Sequence, residues 1–196
     1  MLLLTFRAAE DRYAVDVSRV VEVVPRVVLR RLPHAPAFLR GLFDYRGAVV
    51  PVVDLGVLLG SEPCSDRLST RIILVDLLSG DQSRDRRAAA GRRDGTEDPD
   101  EGGEPRATGP GRRLVGLIAE HVSDVASVKA EQVISRPMHL PQAPYLGAIV
   151  QIGEDMTQML VVDRVLDQRF QDAFFEPEPD GEEPADPELH HPAGSP

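Results

Sequence analysis

Several residue types are scarce or missing in this sequence. Its 196 residues include no tryptophan, a single lysine (Lys129) and one cysteine (Cys64). One cysteine excludes an intramolecular disulfide and fits a reducing, cytosolic setting. No apolar run approaches the ~20 residues that span a bilayer, and the opening MLLLTF is too short for a signal peptide. We therefore expect a cytoplasmic protein with no direct membrane insertion.

The residue groupings on which catalysis and cofactor binding depend are also missing. The sequence has no glycine-rich phosphate loop of the Walker or dinucleotide type, and its carboxylates are scattered without an acid–base pairing. No histidine lies at zinc-like spacing from a cysteine or a carboxylate. Cys64 has no histidine near it in sequence to activate a thiolate. We predict no catalytic residue, no cofactor and no metal site.

Charge and apolar residues are unevenly distributed along the chain. The formal net charge is −10, and residues 171–196 carry eight acidic and no basic side chains. Residues 79–113 carry eight arginines and eight acids but no Val, Ile, Leu, Met or aromatic residue. Neither segment can bury enough apolar surface to offset its ordering entropy. We predict a domain over 1–170, interrupted by a disordered insertion (79–113) and followed by an acidic, proline-rich disordered tail (171–196).

The remaining sequence has the pattern of short β-strands. Alternating and β-branched apolar runs predict strands at Leu2–Arg7, Tyr13–Val17, Leu42–Tyr45, Ala48–Val53, Thr70–Leu78, Leu114–Glu120, Val122–Val128, Tyr145–Ile152 and Met159–Asp163. Helical turns are expected at Arg19–Glu22, Leu55–Leu59 and Ala130–Val133, with a last helix from Asp163 to Phe170 or Phe175. Residues 41–59 and 145–167 share a plan of strand, turn, strand ending in Val-Val-Asp, and helix. Two small β units that pack against one another are therefore expected.

The segment 41–55 (GLFDYRGAVVPVVDL) predicts a β-hairpin with Arg46-Gly47 at its turn. A turn holds the guanidinium away from the core, where its planar donors can meet a carboxylate or carbonyl of a partner. A turn arginine that only contacts solvent is the alternative.

A second candidate is the apolar run between Val20 and Leu29, which is rich in valine. A fully buried run of this length is hard to house in a small barrel, so some members are expected to line an exposed groove. Exposed apolar patches usually mark interaction sites. The alternative is that all of them belong to the core.

Several motifs, in order, resemble the CheW adaptors of bacterial chemosensory arrays. They are Tyr13-Ala14-Val15-Asp16-Val17, Val20-Val21-Glu22-Val23, Leu32-Pro33-His34-Ala35-Pro36, the hairpin 41–55, Val115 to Val125, and a terminal strand and helix with Asp163. The resemblance spans roughly residues 1–170. It implies an all-β fold of two packed five-stranded SH3-like β-barrels with short helices and a C-terminal helix.

The resemblance also implies a function. Members of this family are non-catalytic adaptors that couple the cytoplasmic tips of methyl-accepting chemoreceptors to a CheA-type histidine kinase. Matching positions imply a receptor-facing role for Val20, Gly41 and Arg46, with Glu22 beside them. An apolar groove with a few polar side chains is suited to docking a helical partner. The expected location is the cytoplasm, in association with membrane receptor arrays.

The sequence departs from the family pattern at the hairpin. Asp44-Tyr45 stands where Asn-Leu usually precedes Arg-Gly, which predicts a different receptor partner. This variant is similar to adaptors of alternative chemosensory pathways, such as the WspB type with a cyclic-di-GMP output. The insertion and the acidic tail are additions to the basic adaptor.

A small β-barrel that binds a ligand or nucleic acid is the alternative function. It requires a basic or aromatic-rich face, whereas this chain is acidic and has only six phenylalanines and three tyrosines. An arginine cluster between residues 84 and 93 could recruit an anionic partner, but acids interrupt it and favour a solvated loop. We therefore expect no nucleic-acid partner.

Overall fold

The structure, a computed structural model, describes residues 1–77, 113–135, 140–166 and 168–175. The predicted insertion lies outside these ranges except for Arg113, and the predicted tail lies outside them beyond residue 175. The strands are β1 (Leu2–Ala8), β2 (Asp11–Asp16), β3 (Val20–Pro25), β4 (Leu39–Tyr45), β5 (Ala48–Asp54), β6 (Arg71–Asp76), β7 (Leu114–Ser127), β8 (Leu146–Ile152) and β9 (Asp155–Leu160). The helices are α1 (Leu55–Leu58) and α2 (Gln168–Phe175), with 3-10 turns at Val17–Arg19, Ala130–Gln132 and Val162–Arg164.

The strands form two barrels that share β7. In the first barrel the order is β3-β6-β7-β5-β4, and β7 contributes its first part, which pairs with β6 and β5. In the second barrel the order is β7-β1-β2-β9-β8, and β7 contributes its last part, which pairs with β1. His121 has a φ of 46° between the two parts of β7. The predicted all-β fold of two five-stranded, SH3-like barrels is confirmed.

The two barrels repeat one strand plan. The β4–β5 hairpin of the first barrel corresponds to the β8–β9 hairpin of the second, and each is followed by a parallel pairing, β5 with β7 and β9 with β2. Isolated bridges join Arg30 to Leu42 and Val133 to Val150, so each barrel is closed by the segment that follows its first strand. The sequence similarity between residues 41–59 and 145–167 reflects this repeat.

Apolar side chains are buried in three places. The largest cluster lies between the barrels and includes Phe6, Val15, Leu55, Val75 and Leu117. The interior of the first barrel is filled by Tyr45, Val50, Val52, Cys64, Ile72, Leu74, Leu114 and Ile118. In the described part of the chain, the interior of the second barrel is filled by the buried Leu3, Ala14, Val128 and Val150, with Ile152 and Met159 partly buried against them. The shared cluster makes the two units one domain, because neither unit alone buries that surface.

Three predicted elements differ from the structure. Residues Val20–Pro25 form strand β3, where the prediction placed a helical turn at Arg19–Glu22. The preceding 3-10 turn, Val17–Arg19, is capped by Asp16, whose carboxylate accepts from the Ser18 N–H at 2.8 Å. The two strands predicted on either side of His121 are one strand, β7.

The end of the chain also differs from the prediction. A 3-10 turn occupies Val162–Arg164, and α2 begins at Gln168 and ends at Phe175. The predicted tail boundary at residue 171 therefore falls inside α2. Within the described ranges, no helix combines the length and the apolar character needed to cross a membrane.

Candidate functional site

The predicted hairpin is formed by β4 and β5, with Arg46 and Gly47 as its two-residue tip. Tyr45 and Ala48 pair across the strands beside this tip. Arg46 has a φ of 54° and Gly47 a φ of 82°, the positive values that a type I′ turn requires. The Asp44 carboxylate accepts the Gly47 N–H at 2.9 Å and fixes the turn. Glycine suits such a conformation, whereas arginine adopts it with strain of about 1 kcal/mol.

The Arg46 side chain folds back onto its own barrel. Its Nη2 donates to Oε2 of Glu22 on β3 at 3.1 Å, and its Cζ lies 5.0 Å from the centre of the Tyr45 ring. The side chains of Arg46 and Glu22 are each 41% exposed. The sequence predicts that the turn holds this guanidinium away from the core. The structure places it at the surface but in an ion pair and over an aromatic ring.

Tyr45 is the member of this site that sequence reasoning missed. It is only 8% exposed, its ring meets Phe43 edge-on at 6.3 Å, and its hydroxyl donates to the same Oε2 of Glu22. We call Glu22, Tyr45 and Arg46 the tip cluster. The only sequence signal was the tyrosine itself, which stands at a strand end where the resemblance leads one to expect leucine. Its partner on β3 is distant in sequence and only the fold brings them together.

Glu22 is positioned by an irregularity in β3. The register between β3 and β6 shifts between Val20 and Glu22. A bulge of this kind re-aims the side chains of the bulged strand. Val21 and Val24 pack against the interior of the first barrel, while Glu22 turns to the tip of the β4–β5 hairpin. The local backbone of β3 therefore aims the carboxylate at Tyr45 and Arg46.

The contacts of Gly41 and Val20, the other two predicted site residues, serve the fold of the barrels. Gly41 is buried with a φ of 146°, and a Cβ there would lie 2.4 Å from the Arg30 carbonyl oxygen. Arg30 and Leu42 exchange two backbone hydrogen bonds of 2.8 Å beside it, so Gly41 permits closure of the first barrel. Val20 is partly buried against the core between the barrels. The structure therefore brings Glu22 and Arg46 into contact but not Gly41 or Val20 with them.

The valine-rich run divides between core and surface. Val21, Val24 and Leu29 pack against the interior of the first barrel. Three members are exposed: Val23 at 38%, Val27 at 43% and Val28 at 96%. The expectation that some members are exposed is confirmed, and the alternative that all belong to the core is wrong.

A buried carboxylate lies at the end of β5. Asp54 is fully buried, and its Oδ1 accepts from the backbone N–H groups of Gly56 at 3.0 Å, Val57 at 3.4 Å and Cys64 at 3.1 Å. Arg40 Nε lies 3.9 Å from Oδ2. Asp54 thus caps α1 and ties it to the following loop, which is a structural use of the charge.

Cys64 and the described histidines do not form a reactive thiol or a metal site. Burial, with the nearby Asp54 charge, raises the pKa of the Cys64 thiol to about 12, so this thiol is protonated at neutral pH. His34 and His121 are exposed, and in residues 1–77, 113–135, 140–166 and 168–175 no three His, Cys, Asp or Glu side chains are grouped to hold a metal ion.

Comparison with known proteins places these features in context. The family model described as "CheW-like domain" matches residues 2–170. "Chemotaxis protein CheW" of Klebsiella aerogenes is 24% identical over 165 residues, which are 83% of this chain and 80% of that protein. "Protein FrzA" of Myxococcus xanthus is 40% identical over 50 residues, which are 26% of this chain and 31% of that protein.

A solved structure supports the fold. The scaffolding protein TtCheW from Thermoanaerobacter tengcongensis is similar with a TM-score of 0.62 at 20% sequence identity. The match covers 85% of this chain and 87% of that one.

Proposed function

Because the chain belongs to the CheW-like domain family, we propose that it is a non-catalytic adaptor of chemotaxis-type signalling. It couples the cytoplasmic tip of a methyl-accepting chemoreceptor to a CheA-type histidine kinase, in the cytoplasm beside membrane receptor arrays. The names of its relatives, a chemotaxis protein and a scaffolding protein, agree with this role. The sequence resemblance to the WspB type suggests that this adaptor serves an alternative chemosensory pathway.

The tip cluster is the observation that carries the proposal. A half-exposed arginine is held by a carboxylate and an aromatic ring, so little side-chain entropy remains to be lost when a partner binds. Arginine anchors of this kind often dominate the energy of an interface. Exposed Val23 on β3, the strand that carries Glu22, and exposed Val49 on β5, the strand that follows Arg46-Gly47, add apolar surface. Apolar surface with a few polar anchors suits a helical partner.

The test uses purified full-length protein against the cytoplasmic helical hairpin of a chemoreceptor and the regulatory domain of a CheA-type kinase, both from the same organism. We expect Arg46→Ala to weaken receptor binding about tenfold or more, as for a central arginine anchor. Kinase binding and the melting temperature should change little.

Arg12→Ala is the matched control. Arg12 is also a partly exposed arginine, and it forms an ion pair with Asp155 at the hairpin of the second barrel. Its substitution should leave receptor binding unchanged. Equal receptor affinity in wild type and Arg46→Ala would remove Arg46 from the site. No binding of either partner to the wild type would contradict the adaptor function itself.

A further inference from the structure

We propose that the tip cluster recognises a primary carboxamide, the side chain of an asparagine or glutamine on the partner, and that Tyr45 is the positioning residue that sets this preference. The inference rests on the proposed function, since it names the chemistry by which the same site would bind a receptor helix. It depends on how the three side chains share their hydrogen bonds.

Both contacts to Glu22 converge on one oxygen. The Tyr45 hydroxyl and Arg46 Nη2 donate to Oε2, and among the residues that the structure describes no donor reaches Oε1. A carboxylate can accept at both oxygens. Because Glu22 is 41% exposed, Oε1 is an acceptor available to a partner.

Arg46 supplies the complementary donors. A guanidinium carries five N–H groups in a planar fork, and only Nη2 has a hydrogen bond to the described part of the chain. Its Cζ lies over the Tyr45 ring, and this contact together with the bond to Glu22 holds the guanidinium beside the carboxylate. The surface therefore presents N–H donors and a carboxylate acceptor side by side.

A primary carboxamide matches both groups at once, with a different atom for each. A carboxylate from the partner would meet Arg46 but be repelled by Glu22, and an ammonium or guanidinium would be repelled by Arg46. An apolar group would leave both charges desolvated without partners, which is unfavourable. A primary carboxamide offers a carbonyl oxygen to Arg46 and an NH₂ group to Glu22. Along a helical partner the backbone groups are already bonded within the helix, so a side chain must provide this pair.

Tyr45 keeps Glu22 available as the acceptor. A partner carboxylate could compete for Arg46 if Glu22 were free to swing away. The buried Tyr45 hydroxyl gives Glu22 a second bond, which a charged competitor would also have to break. The aromatic residue before Arg46 is thus a specificity determinant that acts through Glu22, not a direct contact to the partner.

The experiment uses the full-length protein and the receptor hairpin fragment described above. Each asparagine or glutamine on the hairpin tip is replaced in turn by aspartate or glutamate, which changes the amide to an acid at nearly constant shape. We expect one such substitution to weaken binding to the wild type about tenfold, the range for loss of a hydrogen bond to a charged group. Glu22→Gln should restore affinity for that acidic fragment, because an amide at position 22 can donate to the new carboxylate.

Tyr45→Phe tests the positioning role. This variant keeps the ring under Arg46 and removes only the hydroxyl. We expect the ratio of affinities for the amide and the acid fragment to fall several-fold, while kinase binding stays unchanged. A purely structural role of Tyr45 would lower the melting temperature or all binding together and leave that ratio as it was, which would contradict the proposal for Tyr45.

The outcomes separate this inference from the proposed function. If the unmodified hairpin binds and no amide-to-acid substitution weakens it, or if Glu22→Gln restores nothing, the carboxamide preference is wrong and the adaptor function stands. Each serine or threonine of the hairpin tip is replaced by alanine in parallel, because a hydroxyl also donates and accepts. If one of these replacements weakens binding and no amide-to-acid substitution does, the carboxamide preference is overturned. If the unmodified hairpin does not bind at all, both the receptor-coupling function and this inference fail.

Discussion

The two barrels of this protein have the same strand plan but differ in what fills them. The first barrel encloses large apolar side chains such as Ile72, Leu74 and Ile118. The second encloses a few smaller ones, and the inward-facing positions of β1 and β9 include the buried Thr5 and Thr157. The same strand plan thus forms around quite different interiors, because both barrels are also stabilised by the apolar cluster between them. A densely packed interior makes a barrel more rigid, which suits the first barrel because it carries the tip cluster.

The tips of the β4–β5 and β8–β9 hairpins also differ, in the residue that occupies the position with positive φ. The tip of the second barrel places Gly153, with a φ of 64°, at the strained position, where it costs little. The tip of the first barrel places Arg46 at such a position instead. Residues held in unfavourable backbone conformations tend to occur at functional sites. Of these two corresponding tips, the strained one is the tip that carries the tip cluster.

The largest effect on stability is expected when the two aspartates that follow Val-Val in the repeat, Asp54 and Asp163, are compared. Asp54 is buried and accepts three backbone N–H groups, whereas Asp163 is 46% exposed and pairs with Arg19. We expect Asp54→Ala to lower the free energy of unfolding by about 3 kcal/mol or more, because it leaves buried backbone N–H donors without an acceptor. Asp163→Ala should cost less than about 1 kcal/mol. Urea denaturation measures both, and equal losses would mean that the repeat uses the two carboxylates alike.

The next test compares two fully buried valines, one in each barrel. We expect Val50→Ala to cost about 2–3 kcal/mol, from lost transfer energy plus a cavity among large neighbours that do not collapse. Val150→Ala should cost about 1–2 kcal/mol, since fewer apolar side chains surround it. Chemical denaturation measures the change in the free energy of unfolding for each variant. A greater loss at Val150 would show that the second interior is the better packed of the two.

A smaller effect is expected from the threonines of the second barrel. Thr5 Oγ1 donates to the Asp124 carbonyl at 3.0 Å, while the buried Thr157 hydroxyl has no hydrogen-bond partner among the described residues. Thr157→Val should raise the free energy of unfolding by about 1 kcal/mol, and Thr5→Val should lower it by about 1 kcal/mol. Thermal unfolding of the two variants against wild type decides the sign. A loss of stability in Thr157→Val would mean that the hydroxyl has a partner, such as a buried water.

The smallest expected change in stability is at the tip of the first barrel. Arg46→Asn relieves the strained turn and loses a half-exposed ion pair, so we expect stability to be equal or about 0.5 kcal/mol higher. Receptor binding should nevertheless weaken about tenfold or more, as expected for Arg46→Ala. The reciprocal change, Gly153→Arg, should lower stability by about 1 kcal/mol without affecting the receptor. Retained binding in Arg46→Asn would break the link between strain and recognition.

The sequence predicted most of the fold, because strands bounded by turns leave a local signal. The hairpin with Arg46-Gly47, the short helix after Asp54 and the repeat were all found from the residues. The prediction of a helical turn at Arg19–Glu22 is wrong, because the β-branched residues of this segment pair with β6 as strand β3. The sequence prediction also divided β7 at His121, since a bend within one strand resembles a turn. These errors concern places where tertiary pairing decides the local structure.

The contacts of the site were harder to predict. That Arg46 lies on Tyr45, and that both bond to Glu22, depends on strands far apart in sequence that only the barrel brings together. Nothing local distinguishes an arginine that points to solvent from one that folds back. The burial of Asp54 likewise comes from the loop that passes over it. The sequence resemblance predicted the position of the candidate site, and the structure shows which of its side chains contact one another.

The sharing of β7 has a consequence for how this protein is made. Strands β1 and β2 pair with each other, but the second neighbour of each, the last part of β7 for β1 and β9 for β2, is synthesised much later. The N-terminal strands must therefore wait, with open edges, until residues near 160 have emerged. Such distant pairing slows folding and leaves the nascent chain dependent on protection from aggregation. It also means that the barrels cannot be expressed apart, since a cut within β7 opens both.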